Sequence, residues 1–140
     1  MEVVLKSYLQ AIGKIGEGIE KTGADFGKLS SDFSRIQNPT LQDIKDLKRG
    51  YELSLEEFKS LELILSNLEA PEVLKSGHTK LIHTFGKYVT SRELAIQSLD
   101  TVNGVVNKAL YEESKNKHEQ SVKEIVATTN EMVAEVVKVK

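Results

Sequence analysis

Residues 5–36 read LKSYLQAIGKIGEGIEKTGADFGKLSSDFSRI, and the spacing of their apolar positions decides the fold. Leu5, Tyr8, Ile12, Ile15, Ile19, Thr22, Phe26, Leu29, Phe33 and Ile36 follow one another at alternating steps of three and four. With 3.6 residues per turn, that spacing sets all ten on one helix face; a strand would need period two. Thr22 is the only polar member. The spacing predicts a helix over about residues 2–36, roughly 50 Å long at 1.5 Å per residue.

The same pattern continues outward along the chain. Asn38-Pro39-Thr40 breaks the first helix, because a residue before proline is pushed out of the α region. Thr40 with Asp43 reads as a capping-box-like start for a second helix over about 41–68. Its inward row is Leu41, Ile44, Leu47, Tyr51, Leu55, Phe58, Leu61, Leu65 and Leu68. Pro71, well suited to a first helical position, opens a third helix. That helix carries Leu74, His78, Leu81, Phe85, Tyr88, Arg92, Ala95, Leu99 and Val102 inward.

Two readings stand beyond Val102. Asn103-Gly104 suits a turn, since both residues tolerate the left-handed conformation. Yet Val106 and Ala109 continue the seam in phase, and a weaker row follows through His118, Val122, Ile125, Thr129, Met132, Val136 and Val139. The favoured expectation is a turn there, giving one all-α domain over residues 1–140, an antiparallel up-down four-helix bundle. The alternative is three helices, the last very long from Pro71 onward and paired with a partner chain.

Composition narrows the function classes. Hydrophobic residues make up 39% and charged residues 29%, a balance suited to a folded water-facing bundle. Basic and acidic residues number 19 and 21 and are interspersed, so no basic stripe marks a nucleic-acid surface. There is no cysteine, which excludes disulfides and thiol chemistry. No run approaches a membrane span and no basic-then-apolar leader opens the chain. The cytoplasm is therefore the default compartment, while a processed surface or secreted form would read the same.

No motif carries catalysis or holds a cofactor. His78 and His83 are five residues apart and so leave different faces of a helix, unlike an i, i+4 ligand pair. His118-Glu119 lacks the second histidine of a zincin helix. His78 and Arg92, polar on an apolar seam, are expected to pair with carboxylates of the second helix such as Glu62 or Glu69. Helix 1 holds Gly13, Gly16, Gly18, Gly23 and Gly27, each unfavourable by about 1 kcal/mol relative to alanine. Gly16 and Gly23 flank the seam, and the first expectation is that a neighbouring helix approaches closely there. A helix that is loosely held and docks on something is the other reading.

Two resemblances bear on function. The stretch from Leu61 to Leu81, with Ala70-Pro71, His78, Phe85, Tyr88 and Leu99-Asp100, resembles small uncharacterised helical, lipoprotein-like proteins of Gram-positive bacteria. It spans residues 61–100 and implies a bacterial helical bundle with a non-enzymatic role. The lipobox cysteine of such lipoproteins is missing. His83-Thr84-Phe85-Gly86-Lys87 is loosely similar to the phospho-accepting segment of histidine phosphotransfer domains, with the family's lysine and glycine in reversed order. That similarity implies His83 as an alternative phospho-acceptor.

The expected function is a non-catalytic interaction or structural module that packs against a protein partner or a second copy. Val126, Val133 and Val137 widen the apolar stripe of the last helix and are the candidate interface residues. A carrier of apolar ligands is a further reading, and it requires a cavity between the helices.

Overall fold

The computed structural model describes residues 2–139. Four helices make up the chain: α1 (Glu2–Ser34), α2 (Leu41–Asn67), α3 (Lys75–Gln97) and α4 (Lys108–Val139). They form the antiparallel up-down bundle that the seams predict. Two short strands, β1 (Leu99–Asp100) and β2 (Val105–Val106), pair antiparallel between α3 and α4. The chain thus turns near Asn103-Gly104, and the single long helix from Pro71 is not formed.

The turns follow from local chemistry. Past α1, Asn38 takes a positive φ of 58°, which asparagine tolerates, and Pro39 bars further helix. Thr40 and Asp43 close a full capping box: Thr40 Oγ1 accepts from the Asp43 amide at 3.1 Å, and the Asp43 carboxylate accepts from the Thr40 amide at 2.8 Å. Pro71 precedes a 3₁₀ turn over Glu72–Leu74 that buries Leu74, so α3 begins at Lys75, not at the proline. Helix 3 also stops short of the expected Val102. Leu99 stays buried as a strand residue, but Val102 rides the hairpin tip, 86% exposed.

Two apolar clusters fill the interior. One joins all four helices through residues such as Tyr8, Phe58, Phe85 and Met132. The other gathers Ile44, Leu47, Tyr51, Ala95 and Leu99, with Phe26 and Phe33 packed against it. Phe58 is wholly buried and stacks on Tyr88 at 4.2 Å; burying one such ring contributes roughly 2–3 kcal/mol.

The α3–α4 contact adds a row of small residues to the expected α4 seam. Gly77, Thr84 and Ser91 of α3 and Ser98 at its C-cap recur every seventh residue; Ser114, Ser121 and Thr128 do so on α4. All but Gly77 are buried. Small side chains let two helices approach closely, and a Cβ added at Gly77 would stand 2.5 Å from Met132 Cγ. Lys80–Glu131 and Lys87–Glu124, each at 3.2 Å, flank the contact one heptad apart. Of the expected α4 row, Met132 and Val136 are buried and Ile125 packs on the core, whereas Val122 is turned outward and Ser114, Ser121 and Thr128 complete the inward face. The Val139 side chain lies outside the described residues.

The α1 and α4 helices complete the ring less tightly. Helix α1 packs on α2, α2 on α3 and α3 on α4, while side chains such as Phe26 and His118 bridge the cleft between α1 and α4. A Cβ added at Gly16 or Gly23 would meet nothing within 4 Å, so these glycines do not serve the close approach that their spacing suggested. Close approach occurs at Gly18 against Leu61 and at Gly50 against Leu29. Among the described residues, no helix is long and apolar enough to cross a membrane.

Candidate functional site

A polar layer lies at the middle of the bundle. Arg92, on the inward seam of α3, is only 1% exposed. Its guanidinium carbon lies 3.9 Å from the Phe26 ring centroid and 4.7 Å from that of Tyr88. Nη1 donates to Ser54 Oγ at 3.1 Å, Nη2 donates to the Tyr88 hydroxyl, and Nε has no partner. Ser54 Oγ in turn donates to the Thr22 carbonyl at 3.4 Å. Thr22, the one polar residue of the first seam, is buried at this level, but it meets Ser54 only through its backbone carbonyl, and its hydroxyl donates to the Ile19 carbonyl at 3.1 Å.

The expected carboxylate partners are not there. Arg92 is level with Ser54 across the antiparallel α2–α3 pair, so Glu62, eight residues further along α2, lies more than two turns away. Glu57 lies on the outer face, 3.8 Å from Lys21. None of the ion pairs among the described residues includes Arg92. Burial pulls the Arg92 pKa down from its ordinary value, opposed chiefly by the Tyr88 hydroxyl.

His118 sits beside this cation. Its ring stacks on Phe26 at 5.9 Å and tilts against Tyr88 at 5.0 Å, and Nδ1 is buried without a partner. Burial, then the charge of Arg92, lowers its pKa, with Glu119 opposing. His78, the other polar seam residue of α3, also lacks a carboxylate. It shares a 2.8 Å hydrogen bond with the Tyr8 hydroxyl, which burial pushes up to about 12.

A cavity of about 200 Å³ opens between α1, α3 and α4 at this level. Gly23, Phe26 and Gly27 form its α1 bank, Arg92 and Ser91 its α3 wall, and Tyr111, Ser114 and His118 its α4 wall. Ser91 and Ser114 each donate to a carbonyl of their own helix at 2.6 Å, and Ser30 shares a 2.6 Å bond with the Tyr51 hydroxyl. Among the described residues, none of these three serines hydrogen-bonds to a histidine or a carboxylate.

A second groove of about 280 Å³ lies nearer the other end, between Ile12, Gly16 and Ile19 of α1 and Ile125, Val126 and Thr129 of α4. Val126 is on its rim. Val133 and Val137 continue the row along α4, with Val137 67% exposed. His83 is exposed on α3, remote from the Arg92 cavity lining. No group of three or more His, Cys, Asp or Glu residues among the described residues could hold a metal ion.

Comparison with known families, with curated proteins and with solved structures finds no match to this chain. Sequence reasoning singled out Arg92 as polar on an apolar seam but missed the cavity. The signal was available in Gly23 and Gly27, whose missing side chains leave the α1 bank open opposite Arg92.

Proposed function

We propose that this chain is a non-catalytic helical module that packs against a protein partner or a second copy of itself through the outer edge of α4. The observation that supports this reading is the row Val122, Val126, Val133 and Val137. These side chains share one stripe and stay exposed, and Val126 borders the cleft beside α1. Exposed apolar rows of this kind mark contact surfaces, because burying them removes apolar area from water. The resemblance of residues 61–100 to helical lipoprotein-like proteins agrees with a non-enzymatic role.

Light scattering with small-angle X-ray scattering across a concentration series tests it. Self-association gives a mass rising above 15.6 kDa with concentration, and Val126→Lys, Val133→Lys and Val137→Lys together restore the monomer. A heterologous partner instead leaves the wild type monomeric and is captured by it but not by the triple variant. Identical behaviour of wild type and triple variant in both assays overturns the reading.

The phosphotransfer alternative draws on the exposure of His83, which a phospho-acceptor requires. Labelling by a histidine kinase or a charged receiver, lost in His83→Ala, would support it. Absence of label with several donors would end it.

A further inference from the structure

We infer that the cavity between α1, α3 and α4 binds a small organic monocarboxylate with an apolar, ring-sized body, held through the Arg92 guanidinium. The first argument is charge. A buried cation with no carboxylate in contact leaves an electrostatic demand for an anion: Arg92 meets only hydroxyls and ring faces, and Glu119 on the α4 wall of the cavity stands beside Lys115 of opposite charge.

The second argument is the pattern of donors. Guanidinium carries five N–H groups. Two are used by Ser54 and Tyr88, and Nε has no partner. Nε–H with a neighbouring Nη–H is the fork that matches the two oxygens of a carboxylate. The guanidinium packs on the Phe26 and Tyr88 rings, so the fork needs little ordering on binding. His118, also lining the cavity, has Nδ1 free to donate when the ring is neutral.

Size and lining set the rest of the ligand. A cavity of about 150 Å³ accommodates benzene, so about 200 Å³ takes a ring with one carboxylate. Its α1 bank is Phe26 flanked by Gly23 and Gly27, where an added Cβ would meet nothing within 4 Å. That open apolar bank suits a ring face. A phosphate dianion suits it poorly, since a single buried guanidinium would leave one negative charge unbalanced.

Calorimetric titration of the full chain with benzoate, benzamide and inorganic phosphate tests the inference. Saturable benzoate binding is expected, with benzamide weaker by about tenfold or more, since it lacks the charge. Phosphate should neither bind nor compete. Arg92→Met should abolish benzoate binding. Gly23→Leu, which fills the α1 bank and keeps Arg92, should also abolish it, and circular dichroism should report an intact bundle. No saturable benzoate binding, equal affinity for benzamide, effective competition by phosphate, or undiminished binding in either variant would overturn the inference.

Discussion

Arg92 of α3 lies with its guanidinium 3.9 Å above the Phe26 ring of α1 and forms no ion pair among the described residues, although Glu119 lines the same cavity. Stacking on an aromatic face recovers about 1–2 kcal/mol for a desolvated cation. Burying the charge costs several kcal/mol, so the arrangement is a net liability to the empty bundle. Methionine fills similar space without charge, and Ser54 keeps its bond to the Thr22 carbonyl when the arginine is gone. Arg92→Met should therefore raise the unfolding free energy by about 1 kcal/mol. Arg92→Ala, which leaves a hole as well, should lower it by about 3 kcal/mol. Urea unfolding followed by circular dichroism measures both, and a destabilised Arg92→Met would mark the guanidinium as a structural brace.

Mild acid should weaken the fold through its two buried histidines. His78 and His118 both sit below the ordinary histidine value of 6.5, each chiefly through burial. His78 faces the neutral Tyr8 hydroxyl; His118 faces the Arg92 cation and two rings, with Glu119 adjacent. A histidine with a lowered folded-state pKa takes up its proton more readily when unfolded. Stability is thus full above about pH 6.5 and declines as pH falls below it. Asp100 and Glu124, held below 3.8 and 4.5, enter only at more acid pH. The unfolding midpoint in urea should fall between about pH 6.5 and 5, and His78→Gln with His118→Gln should flatten that decline.

The helical glycines of α1 and α3 divide into two groups with opposite expectations. Gly16 and Gly23 face open space, so alanine there should stabilise the helix by about 0.5–1 kcal/mol each. Gly77 of α3 lies against Met132 Cγ, which is mid-chain and cannot swing away, so Gly77→Ala should destabilise by about 1–3 kcal/mol. Thermal unfolding of the single variants checks the sign at each position. Stabilising alanines at Gly16 and Gly23 would show that α1 gives up intrinsic stability to keep the cleft open.

The sequence was most legible where one apolar face dominates. The α1 and α2 seams lie inward except where the chain turns between them, at exposed Ile36 and Leu41, and the Thr40 capping box and the turn near Asn103-Gly104 form because their signals are local. Reading failed where small polar residues carry the packing. Ranking by hydrophobicity picks Val122 on α4, whereas the helix buries its neighbour Ser121, and Thr128, to come close to α3. The partners of Arg92 were misread for a related reason. Which α2 residue stands level with it depends on helix register, set by long-range contacts absent from any local pattern. The cavity is less legible still, since it consists of side chains that glycine lacks.

The connection between α3 and α4 carries the last prediction. Gly104 takes a φ of 68°, and the Asp100 carboxylate accepts from the Val102 and Asn103 amides and from Asn103 Nδ2. Those local features oppose a seam that otherwise runs in phase from Ala95 through Val106 and Ala109. Asn103→Ala with Gly104→Ala removes the turn chemistry and adds about 1–2 kcal/mol of helix propensity. A helix continued through residues 98–107 would carry α4 away from α3, whose buried small-residue face would then need α4 of a second copy. Light scattering of the double variant should show a dimer of about twice 15.6 kDa, elongated in X-ray scattering. A monomer with lowered stability would instead assign the turn to the packing of buried Leu99 against Ile44 and Leu47.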